Sequence, residues 1–135
     1  MDRRLELGQI LLRRATDDLA MARRLAGDAG SPEWGIGFHV QQAVEKAIKS
    51  VLCSFGIEYP RTHSISVLLD LLAERASEIP VPRETLVILT PYGVLFRYDE
   101  AGPSDAELAN LPDRASMLKV AEQMLGWAST SKEAR

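Results

Sequence analysis

Between Phe38 and Phe55 apolar residues return at the spacing of an α-helix, and this run constrains the fold more than any other. At about 100° per residue, Val40, Ala43, Val44, Ala47, Ile48, Val51, Leu52 and Phe55 share one broad arc. His39, Gln42, Glu45, Lys46 and Lys49 share the opposite arc. Two residues break the pattern: Phe38 lies among the polar group, and Gln41 lies at the edge of the apolar one. A helix whose polar face only floats in water needs neither exception. That face is therefore expected to meet something other than bulk solvent.

The same periodicity predicts four further helical segments. The first covers residues 3–26, with Leu5, Leu12, Ala15, Leu19, Ala22 and Ala26 at heptad-like spacing, and the GDAGSPEWG stretch ends it. The second runs from about Trp34 to Phe55 and stops at Gly56. After an extended IEYPRTH connector, Thr62 is expected to cap a third helix beginning near His63, with Ile65, Leu68, Leu69, Leu72 and Ala76 as its apolar side. A fourth, over residues 83–97, is expected to be interrupted or kinked by Pro91. The fifth spans about Asp105 to Ser129 and buries Met117, Val120, Ala121, Met124, Leu125 and Ala128, with Pro112 breaking or bending it early. The β-branched run TLVILT, residues 85–90, is read as helix because no second run offers it a strand to pair with. Short loops between amphipathic helices imply an all-α, up-and-down antiparallel bundle of four to five helices, in a single domain over residues 1–135.

Composition narrows the function classes. With 46% apolar and 26% charged residues over 135 positions, the chain has the make-up of an ordinary folded domain with a substantial core. Aromatic residues are only 6%, so that core is built from Leu, Ala, Val and Ile. A formal charge of −3 gives no long-range pull toward nucleic acid, although a local basic groove is compatible with it. The single cysteine, Cys53, lies near the apolar arc and reads as a small core residue. Charges run through the apolar N-terminal stretch, so a signal peptide or membrane span is not expected there, and a reducing cytoplasm fits.

Candidate chemistry sits in three stretches. His39, Gln42, Lys46 and Lys49 follow steps of three, four and three, stacking donors, an imidazole and two positive charges on one side of a helix. Such a row suits a nucleotide phosphate or a partner's carboxylates, and equally a solvated face carrying a Glu45–Lys49 pair. PRTHS, residues 60–64, adds Arg61 and His63 at a helix start, where free backbone N–H groups favour anions. FRYDE, residues 96–100, brings Arg97, Tyr98 and Asp99, with Arg97 able to meet Asp99, Glu45 or a phosphate. The doublets Arg3–Arg4, Arg13–Arg14 and Arg23–Arg24 drift by about 80° from one to the next and read as a solvated surface, with Asp17 and Asp18 as their modest pairing partners. Two histidines and one cysteine show no metal-ligand spacing, and no phosphate loop or nucleophile elbow is present. Neither a metal nor a cofactor is expected.

Taken together, FHVQQAVEKAIKSVL, PRTHSISVLLDLL and YGVLFRYDE, in this order, resemble the HEPN domain family over nearly the whole chain. The resemblance implies a bundle of four or five antiparallel helices and a homodimer. It also implies partnership with a minimal nucleotidyltransferase, in a two-component or toxin–antitoxin pair, with a nucleotide as a further ligand. HEPN ribonucleases carry an Arg followed four to six residues later by His. Here Arg97 matches the Arg, but positions 101–103 are Ala, Gly and Pro and no His follows. The implied function is thus a binding module using His39, Gln42, Glu45, Lys46, Lys49, Arg61, His63, Arg97, Tyr98 and Asp99. The alternative is a metal-independent ribonuclease toxin acting on RNA through Arg97 and a relocated His63.

Overall fold

The computed structural model describes residues 2–75, 78–93 and 112–133. Among them all regular structure is helical: α1 (Arg3–Ala26), α2 (Glu33–Ser54), α3 (Ile65–Leu72), α4 (Arg83–Val87), α5 (Thr90–Gly93) and α6 (Arg114–Glu133). The order agrees with the helical bundle expected from the sequence.

Each long helix is delimited by local chemistry. The Asp2 side chain accepts from the Arg4 N–H at 2.7 Å and so caps α1. At the end of α2, Gly56 adopts φ +72°, a conformation that side chains with a Cβ rarely take. This turns the chain so that the Ile57 N–H reaches the Leu52 carbonyl at 2.9 Å and the Gly56 N–H reaches that of Cys53 at 3.1 Å. Arg4 fastens the same corner, donating to the Gly56 carbonyl at 2.6 Å and to Glu58 at 2.9 Å. Asp113 opens α6 by accepting from the Ser116 N–H at 2.8 Å, directly after Pro112.

Helix α2 is the centre of the molecule. It packs against α1 on one flank and α6 on another, and also touches α3 and α5. From Gly35 to Ser54 no residue is exposed. Val40, Ala43, Val44, Ala47, Ile48, Val51 and Leu52 are fully buried, together with Ala15 and Ala22 of α1 and Met124 and Ala128 of α6. All six residues foreseen as the buried side of the last helix are buried. Cys53 is buried in this core and lies within 4.0 Å of the Tyr59 hydroxyl.

Small residues set the helix spacing. Gly8, Ala15 and Ala22 recur every seven residues on the α1 face toward α2. A Cβ at Gly8 would stand 3.1 Å from the Cys53 Cβ and 3.3 Å from the Ser50 carbonyl oxygen. Gly37 holds α5 close in the same way: a Cβ there would come within 2.9 Å of the Tyr92 ring, which is completely buried. Gly37→Ala is therefore expected to lower stability by about 1–3 kcal/mol by overpacking, outweighing the gain from better helix propensity. Chemical denaturation of the two proteins checks this.

Several details differ from the sequence-based reading. The third helix starts at Ile65, with Ser64 as its cap accepting from the Val67 N–H at 3.3 Å. Thr62 instead accepts from the Ser64 N–H at 3.0 Å, two residues on, which closes the preceding turn rather than the first turn of the helix. The fourth segment is interrupted at Ile88–Leu89, ahead of Pro91. An unbroken helix would drive the Pro91 ring against the Val87 carbonyl, so the chain tightens first, through Leu89 N–H to Leu86 and Tyr92 N–H to Leu89 bonds of 3.1 Å. Leu5 is 40% exposed rather than buried, since it lies about 60° off the Gly8–Ala15–Ala22 line. Residues 94–111 lie outside the described residues, and with them the expected start of the last helix.

Candidate functional site

The polar face of α2 does meet something other than water: it meets the chain itself. Two carboxylates organise it. Asp18 of α1, with a side chain 6% exposed, receives the Lys46 ammonium on Oδ2 at 2.6 Å and His39 Nδ1 on Oδ1 at 3.0 Å. His39 and Lys46 are seven residues apart, two turns along one side of α2, so a single carboxylate can bridge them. The Phe38 ring meets the imidazole of His39 edge-on, with centroids 5.1 Å apart.

Glu45 organises the second cluster. Its Oε1 accepts from Gln41 Nε2 at 2.9 Å and lies 2.9 Å from His63 Nδ1, while Oε2 accepts from the Lys49 ammonium at 2.8 Å. Gln41 also donates to the His63 carbonyl at 3.3 Å and accepts from Gln42 at 2.7 Å. The buried Gln41 thus ties α2 to the connector before α3, which accounts for its place at the edge of the apolar arc. Lys49 lies 5.4 Å above the Tyr59 ring, a cation–π contact that closes the far side.

Electrostatics follow from these contacts. Burial alone raises the pKa of Glu45, but the Lys49 and Gln41 hydrogen bonds, the Lys49 charge and the His63 hydrogen bond outweigh it, leaving the carboxyl below the ordinary glutamate value. Burial, followed by Cys53 and Glu45, pushes the Tyr59 hydroxyl well above the usual tyrosine range, so it stays protonated. A carboxylate can only accept, so His39 and His63 each present an Nδ1–H to it.

This geometry redistributes the residues chosen from the sequence. His39, Gln42, Lys46 and Lys49 share one side of α2, but they divide between the Asp18 and Glu45 clusters instead of forming one cationic row. Lys46 and Lys49 are already paired, so an incoming phosphate has to compete with a carboxylate. Arg61 is exposed and makes no ion pair among the described residues. Arg97, Tyr98 and Asp99 lie outside the described residues. Asp18 is a correction: it is not a surface partner of the arginine doublets but a buried anchor facing α2. The signal was available, since Asp18 stands three residues after Ala15 and four before Ala22, on the side of α1 that both of them bury. Gln41 and Tyr59 were likewise missed as site residues, being legible only as a pattern exception and a connector aromatic.

Among the described residues no group of three His, Cys, Asp or Glu side chains could hold a metal ion, and no helix is long and apolar enough to cross a membrane. No curated protein and no solved structure matches the chain. The model of the HEPN domain matches residues 9–132, and that span contains Asp18, all of α2 and the His63 connector. The protein with this carboxylate-pinned central helix belongs to the HEPN domain family.

Proposed function

We propose that this chain is a non-catalytic HEPN binding module, which dimerises and partners a minimal nucleotidyltransferase in a two-component or toxin–antitoxin-like system. A nucleotide is its small ligand. The observation that carries the reading is the polar flank of α2: His39, Lys46, Lys49 and His63 are pinned by buried carboxylates, and each keeps a minor part of its side chain, 14–26%, open to solvent. Groups fixed in this way have little ordering entropy left to lose when a ligand arrives. Arg61, exposed and without an ion pair among the described residues, lies two positions before His63 as a cation for a phosphate. Co-expression with the small nucleotidyltransferase of a neighbouring reading frame, followed by co-purification, tests the partnership. Titration calorimetry with a nucleoside triphosphate tests the ligand. Arg61→Ala is expected to weaken nucleotide affinity about fivefold, roughly 1 kcal/mol, with an unchanged thermal midpoint. Absence of any nucleotide heat with the unmodified protein defeats the ligand part and leaves the partnership standing.

One observation favours a second reading, a metal-independent ribonuclease. Glu45 holds His63 through Nδ1 at 2.9 Å, the contact by which a carboxylate prepares an imidazole for proton transfer. RNA cleavage in EDTA that disappears in both His63→Gln and Arg97→Ala would replace the binding module with an enzyme.

A further inference from the structure

Helix α1 carries a second seam, about 120° round the helix from the Gly8–Ala15–Ala22 line. Leu7, Ile10, Arg14, Asp17 and Met21 follow steps of three, four, three and four, the spacing of a coiled-coil contact line. This line is not covered by the rest of the described chain: Leu7 is 44% exposed, Ile10 40% and Met21 43%, and Arg14 and Asp17 are exposed as well. Neither of the two charges in its middle makes an ion pair among the described residues. Three large apolar side chains on one solvent-facing line, with opposite charges between them, are more than a helix surface needs for solubility.

The order of these residues selects the occupant. In a two-fold symmetric pair, each contact from one copy to the other occurs twice. Two antiparallel α1 helices, related by a dyad between Ala15 and Thr16, set Ile10 against Met21 of the partner subunit and Arg14 against Asp17 of the partner subunit. The Ile10–Met21 and Arg14–Asp17 contacts each form twice, and Leu7 falls at the end of the line, opposite Arg24 of the partner subunit. A parallel pairing sets Arg14 against Arg14 and Asp17 against Asp17, two like-charge contacts at the centre. Deepening the homodimer part of the proposed function, on which it rests, we infer that the Leu7–Met21 line of α1 is the surface on which a second copy of this chain docks, antiparallel, with reciprocal Arg14–Asp17 pairs.

Sedimentation equilibrium of the full chain tests this with two charge reversals and their combination. The unmodified protein is expected to be a dimer. Arg14→Asp and Asp17→Arg, each placing like charges twice per dimer, are expected to weaken dimerisation at least about tenfold. Combining the two is expected to restore it to within a few-fold, with helix content unchanged by circular dichroism throughout. A dimer indifferent to both single reversals overturns this surface and leaves the homodimer reading intact. Single reversals that weaken association without rescue in the double variant overturn the antiparallel pairing. An unmodified protein that stays monomeric overturns both this surface and the homodimer.

Discussion

Glu45→Ala is expected to lower the unfolding free energy by about 3–5 kcal/mol, among the largest effects any single polar substitution can have here. The side chain is 3% exposed and accepts from three different groups. Removing it leaves the Lys49 ammonium, which is only 14% exposed, without its counter-charge, and takes an acceptor away from Gln41 and His63. Glu45→Gln keeps the shape and one accepting oxygen, so a smaller loss is expected. Urea denaturation of the three proteins at neutral pH ranks them. The difference between the unmodified protein and Glu45→Gln also carries a pH signature. Because the folded carboxyl titrates below its unfolded value, its stabilising contribution is complete above the ordinary glutamate pKa of about 4.3 and fades as pH falls through the lower folded value. A gap between the two stability curves that stays constant down to acid pH would show that the Glu45 charge does not hold the cluster together.

Arg114→Ala is expected to cost about 2–3 kcal/mol, for a different reason. Its guanidinium fork gathers the corner between α1 and α2: Nε donates to Glu33 at 2.9 Å, and the other nitrogens donate to the carbonyls of Asp28 at 2.8 Å, Ser31 at 2.8 Å and Ala26 at 3.2 Å. The Ala26 carbonyl belongs to the last turn of α1, where no later residue of the helix can bond it. Arg114→Lys is expected to recover less than half of the loss, since one ammonium cannot span the carboxylate and all three carbonyls. Thermal unfolding measures both variants, and full recovery by lysine would mean that charge alone, rather than the fork, fastens this corner.

The sequence made helices legible where a period spans many turns. The bounds of α1 and α2 follow from apolar spacing together with Gly27, Pro32 and Gly56, and the buried side of α6 was readable residue by residue. The break before Pro91 was readable in kind but not in place, because the chain avoids the proline clash by tightening two residues earlier. Pairing within the site was much less accessible. Periodicity says which side of a helix a residue occupies, whereas Asp18 meeting Lys46 instead of a nearby arginine depends on how α1 and α2 are rotated against each other. Arg114 was invisible for another reason: most of its partners are backbone carbonyls, which carry no sequence signal at all.

The Asp18–Lys46 pair closes across only 28 residues, while Arg114 reaches back 81 to 88. A nascent chain leaving the ribosome can therefore lock the polar side of its first hairpin early, long before α6 is synthesised. Until then the flank of α2 that α6 covers lacks that partner, and exposed apolar surface of this kind is what promotes aggregation during synthesis.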